Sequence, residues 1–132
     1  MKFLCLICAD KVMEQMATEM AEQHYRDYAT FTEDIRRSGH FLDCNRLLPP
    51  AEATTIRVRD GKIGVTDGPW VETKEQLGGY YLVEARDLNE AIRIAAKIPG
   101  AWHGCVEVRP VAEDVRTLTA LGKAAEPTRV LS

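Results

Sequence analysis

The chain has 132 residues, with 17 Lys and Arg against 20 Asp and Glu and a formal net charge of -3. It therefore has no cationic surplus to neutralise a phosphate backbone, its basic residues are scattered, and direct DNA or RNA binding is not expected. A chain of this length buries roughly two-thirds of its unfolded surface, enough for one core. No apolar run approaches the roughly eighteen residues that cross a bilayer, so no membrane span is expected.

The opening MKFLCLICAD has one basic residue and then an apolar run. That run is at the short limit for a secretory signal, and no small-x-small cleavage site precedes the charged stretch from Asp10 onward, so the expectation is a cytoplasmic protein with reduced cysteines. Phe3 to Ala9 is apolar at odd and even positions alike, as in a strand buried on both faces at the middle of a sheet. Cys5 and Cys8 have redox or zinc spacing, but residues three apart on a strand point to opposite faces. They read as small core fillers, as do Cys44 and Cys105, and neither a metal nor a cofactor is expected.

A helical stripe follows, with Met13, Met16, Met20, His24, Tyr28, Phe31 and Ile35 spaced by threes and fours, and the methionines fit a core or a dimer contact. Arg36 and Arg37 suit the carbonyl end of that helix, and Gly39 ends it. Phe41 to Leu47 predicts another strand, closed off by Pro49-Pro50. Thr54 to Arg59, the pair Asp60-Gly61, and Lys62 to Val65 then read as a β-hairpin, because Asp-Gly readily takes the positive φ angles of a two-residue turn.

Asp67-Gly68-Pro69 predicts a tight turn, and Thr73 to Gln76 a single capped helical turn. Gly78-Gly79 would permit a bulge or a close approach before Tyr80 to Val83, a second strand apolar on both faces. Asp87-Leu-Asn-Glu90 resembles a capping box, opening a helix whose Leu88, Ile92 and Ala95 are expected to face the core until Pro99-Gly100 stops it. Cys105 to Arg109 alternates, with Val106 and Val108 on one face and Glu107 and Arg109 on the other, as near a sheet edge. Residues 113–132 read as an extension, a short helix anchored by Val115, Leu118 and Leu121 and a frayed end around Pro127.

The element order predicts an α+β fold over residues 1–112, a ferredoxin-like βαββαβ sandwich with an inserted β-hairpin. That plan places the first and third core strands at the centre, and those are the two strands apolar on both faces. Two helices cover one side of such a sheet, so a second copy is expected on the other, giving a homodimer.

The stretch DGPWVETKEQLGGYYLVEA at residues 67–85 is similar to the DGPFAETKE signature of the DGPF branch of the YCII-related family, with Trp70 for Phe and Val71 for Ala. The similarity extends to ATTIRVRDGKIGVTDGP, the Asp87 helix and VEVRPV, about residues 1 to 112. It implies a dimeric ferredoxin-like fold with a loosely defined biochemical role, and an associational link to extracytoplasmic-function sigma factors, to which some relatives are fused or near which they are encoded. In other YCII-related proteins a His on the first helix and an Asp before a Pro after the second are proposed to form an acid–base dyad. Those positions fall at Tyr28 and Ile98 here, so neither dyad member is present.

Three classes of function stay open on the sequence. A small-molecule binding or regulatory protein would use a pocket bordered by the first helix and the 67–75 loop, with Tyr28, Arg57, Arg59, Asp67, Trp70, Glu72 and Lys74 as candidate contacts. An enzyme with hydrolase- or lyase-like acid–base chemistry would pair His24 with Asp67 or Glu72. An interaction module for a sigma factor would show an exposed apolar patch besides the dimer face. His40 and His103 are expected on the surface.

Overall fold

The computed structural model describes residues 1–10 and 18–124. In chain order the described elements are β1 (Lys2–Asp10), α1 (Thr18–Arg37), β2 (Phe41–Arg46), β3 (Thr54–Arg59), β4 (Lys62–Asp67), β5 (Glu75–Glu84), α2 (Leu88–Ala95), α3 (Gly100–His103), β6 (Cys105–Pro110) and α4 (Val115–Ala120). The fold is α+β, with an antiparallel four-stranded sheet ordered β2-β5-β1-β6 and a separate two-stranded sheet of β3 and β4. The two strands with apolar side chains on both faces, β1 and β5, are the central pair.

Alternation along those strands separates two faces. Phe3, Cys5 and Ile7 of β1 join Tyr81 and Val83 of β5 beneath Phe31 and Ile35 of α1 and Ala91, Ile94, Ala95 and Ile98 of α2 and its exit. On the other face Leu4 lies opposite Leu82, and Leu6 opposite Tyr80, and all four are only partly buried. The edge strand β6 behaves as its pattern predicts. Val106 and Val108 pack on the core, while Glu107 and Arg109 are exposed and paired with each other.

Helix ends follow local chemistry. Gly39 takes a φ of 80°, the His40 N–H donates to the Ile35 carbonyl at 2.9 Å and the Gly39 N–H to that of Arg36 at 3.2 Å, closing α1 in a Schellman arrangement. At α2 the Asp87 carboxylate accepts the Glu90 N–H at 2.9 Å, and the Glu90 carboxylate accepts the Arg86 N–H at 2.9 Å. This is a capping box displaced by one residue at its return bond. Between β3 and β4, Asp60 and Gly61 take φ values of 52° and 74°, the positive pair that a tight two-residue turn demands.

Several expectations are corrected. Ala95 is buried as expected, but Leu88 and Ile92 are about half exposed, and α2 buries Ala91 and Ile94 in their place. The fully buried Ile98 and Pro99 pin the helix exit, and the two alanines let its backbone approach the sheet. Residues 73–76 form no helical turn, because β5 already begins at Glu75. There the Gln76 amide donates to the Thr73 carbonyl at 2.9 Å and to its hydroxyl at 3.0 Å, tying an extended connection. Met20 is 58% exposed, so it is no core residue of the single chain, and Met13 and Met16 lie outside the described residues. In the C-terminal extension α4 forms, but Val115 and Leu121 are exposed, and Pro127 lies outside the described residues. His40 is not a surface residue: it is mostly buried, its Nδ1 2.8 Å from the Glu84 carbonyl oxygen and 3.8 Å from the Glu90 carboxylate.

The glycine pair acts as its sequence suggests. The register passes from Ile7 opposite Gly79 to Cys8 opposite Leu77, leaving Gly78 as the extra residue of a bulge. Gly79 is buried, and a Cβ there would stand 2.8 Å from the Asn45 carbonyl oxygen of β2.

Candidate functional site

A cleft of about 370 Å³ opens between the first half of α1 and the ends of the sheet strands. α1 contributes Ala21, His24, Tyr25 and Tyr28; β1 contributes Ile7 and Ala9; residues 44–50 and 76–81 supply the rest. The bulge at Gly78 and the close approach at Gly79 let β5 and β2 converge beneath the helix, and the Pro49-Pro50 exit of β2 forms part of the wall. The volume is in the range of small-molecule sites, which are mostly apolar with a few polar groups.

Aromatic packing shapes the floor. The Tyr28 and Tyr81 rings are parallel within 2° at 6.4 Å, and the His24 ring meets Tyr28 edge-on at 4.9 Å. The Tyr28 hydroxyl accepts the Gly100 N–H at 3.0 Å, a contact possible because residue 100 has no side chain: a Cβ there would sit 2.6 Å from that oxygen. Burial pushes the Tyr28 hydroxyl up to about 12, so at neutral pH it is a neutral hydrogen-bond donor. The Thr32 hydroxyl gives its single proton to the Tyr28 carbonyl at 2.8 Å, so in its 2.6 Å contact with Tyr81 the tyrosine donates. Burial raises the Tyr81 hydroxyl too.

Charge on the described lining is one-sided. Among its described lining residues Arg46 is the sole Lys, Arg, Asp or Glu. Its guanidinium lies 5.8 Å from the Tyr25 ring centroid, within cation–π range. His24 is held below its ordinary pKa, first by burial and then by His103, whose ring centroid is 5.6 Å away. Its imidazole is therefore neutral at neutral pH.

Of the residues singled out on the sequence, His24 and Tyr28 line this cleft. Arg57 and Arg59 stand exposed on β3, Asp67 ends β4 opposite Thr54, and Trp70 is 77% exposed. Glu72 and Lys74 are exposed on the connection to β5, and none of these six lines the cleft. The side of the cleft expected from the 67–75 loop is formed instead by Gln76 and Leu77. Among the described residues His24 has no hydrogen bond to Asp67 or Glu72, so the structure does not assemble that carboxylate–imidazole pair. Arg46, Asn45 and the Leu47–Pro50 wall carry no motif and were not legible as site residues. His103 meets His24 because α3 ends beside α1, far away in sequence.

Ile98 is fully buried in the core, and Tyr28 is bonded two residues beyond it, at Gly100. The two positions aligned with the proposed acid–base dyad thus hold a buried hydrocarbon and a phenol that accepts one backbone N–H. Cys5 is buried, whereas Cys8 faces the other way and lies opposite Cys105; all four cysteines are free. Among the described residues no group of three or more His, Cys, Asp or Glu is placed to hold a metal, and no helix is long and apolar enough to cross a membrane.

An α+β chain with a helix-covered antiparallel sheet and a cleft at the ends of its strands defines the class. The family model of the YCII-related domain matches residues 1–114, and the chain belongs to that family. It is 35% identical over 105 residues, spanning 78% of this chain and 85% of the relative, to a protein of Rhizobium meliloti (strain 1021) named Uncharacterized protein R00369.

Proposed function

We propose that this chain is a DGPF-type member of the family, built on the ferredoxin-like plan with β3 and β4 as an inserted hairpin, and that it works in the cytoplasm as a homodimer that binds a small ligand. The observation that carries the binding role is the cleft between α1 and the sheet, of ligand size and lined mainly by aromatic and aliphatic side chains. Binding or regulation is favoured over catalysis because the Tyr28 hydroxyl is held protonated, His24 makes no hydrogen bond to a carboxylate among the described residues, and a buried Ile98 stands where the proposed acid would be.

Dimerisation is supported by the half-buried face of Leu4, Leu6, Tyr80 and Leu82. A wet apolar sheet face of this kind is most simply covered by its own copy in an isologous pair. Light scattering coupled to gel filtration tests this: the native chain is expected at twice the chain mass and Leu6→Glu at the chain mass. A native monomer would refute the dimer. A thermal-shift screen of small metabolites tests the cleft; hits that Tyr25→Ala abolishes are expected, and a broad screen without any would count against a binding role.

A further inference from the structure

We propose that the cleft takes a small organic anion, a flat apolar body carrying one carboxylate that Arg46 receives. This deepens the binding role proposed above and rests on it. Most polar groups of the cleft already have partners within the chain. The Asn45 amide donates to the Tyr80 hydroxyl at 2.8 Å, and that hydroxyl donates to Asp43 at 3.1 Å. The Gln76 amide is bonded to the Val71 and Thr73 backbone, and the Tyr81 proton goes to Thr32.

What remains is one cation, Arg46, one free hydroxyl donor, Tyr28, and the uncharged Asn45 and Gln76 carbonyl oxygens and His24 imidazole. Arg46 is an exposed residue whose guanidinium lies 5.8 Å over the Tyr25 ring centroid and makes no ion pair among the described residues. Tyr28 receives the Gly100 N–H and keeps its own proton free to give. No described lining residue is acidic, so among the described residues a cationic ligand would meet the Arg46 charge and no lining carboxylate. A carboxylate would gain a charge-assisted contact from the guanidinium, whose planar fork matches it for bidentate pairing. Tyrosine rings and the leucines and prolines of the wall suit a flat hydrocarbon body, and the volume near 370 Å³ has room for a fused two-ring compound.

Isothermal titration of the full chain with 1-naphthoate, 1-naphthamide and 1-naphthylmethylammonium tests the assignment. The naphthoate is expected to bind about tenfold or more tightly than the amide, as a charged hydrogen bond implies, and the ammonium most weakly. Arg46→Gln should abolish the naphthoate's advantage over the amide, whatever it does to the amide's own affinity. If the amide or ammonium binds as tightly as naphthoate, or Arg46→Gln leaves naphthoate unaffected, the anion assignment is overturned while a binding cleft survives. If none of the three binds, the binding role fails together with the assignment. Should Arg46→Gln fail to fold, the order of the three ligands on the native chain still decides.

Discussion

Substituting Gly79 tests whether contact between β5 and β2 is what demands glycine there. Its φ lies outside the left-handed region, so no special backbone angle is involved and the close approach alone is at issue. A Cβ would sit 2.8 Å from the Asn45 carbonyl oxygen, where ordinary contact begins at 3.4 Å, so β2 would have to withdraw by about 0.6 Å. Overpacking of this kind costs about 1–3 kcal/mol. Against it, losing glycine's freedom in the unfolded chain returns about 0.4–1 kcal/mol, and valine's strand preference contributes up to about 1 kcal/mol more. Gly79→Ala should therefore be destabilised by roughly 1 kcal/mol, and Gly79→Val, whose γ carbons also press on the strand, by roughly 2 kcal/mol. At about 3–5 °C per kcal/mol for a domain of this length, the valine variant should melt about 6–10 °C lower. Gly78→Ala is the control: its nearest neighbour is the Ile7 carbonyl oxygen at 3.9 Å, and its melting temperature should hold or rise slightly. Equal melting temperatures for Gly79→Val and the native chain, by calorimetry or circular dichroism, would refute the contact argument.

Two further outcomes follow from the cleft. Tyr28→Phe leaves the Gly100 N–H without the oxygen it donates to and should cost about 1–2 kcal/mol, read as a shift in the urea midpoint at constant slope; an unchanged midpoint would mean water replaces the hydroxyl freely. His24 is held below its ordinary 6.5, so its contribution to stability is complete above that pH. It declines as the pH falls from 6.5 through the lower folded value, because the unfolded chain takes the proton first. The native melting temperature should accordingly drop more between about pH 7 and pH 5 than that of His24→Gln, and parallel curves would show that the imidazole is not depressed.

Much of the sheet was readable from the chain because a central strand must be apolar on both faces and an edge strand on one. Phe3–Ala9, Tyr80–Val83 and Cys105–Arg109 declare their places in this way. The rotation of α2 was not readable: Leu88, Ala91, Ile92, Ile94 and Ala95 offer two apolar stripes, and hydrophobicity alone favours the larger residues. The deciding fact is where the buried Ile98-Pro99-Gly100 exit lets the helix lie.

The cleft divides in the same manner. His24 and Tyr28 stand on a helical stripe that periodicity reveals, and the glycine pair announces a bulge or a close contact. The sequence by itself determined the strand characters, the caps of the helices and the family, because each is written in residues close together along the chain. Only the tertiary structure decided that the conspicuous 67–75 connection stays outside the cleft, that Arg46 brings the one charge among its described lining residues, and that His103 faces His24. Such neighbours are set by how strands and helices converge in space, where the number of residues between two side chains no longer predicts the distance between them.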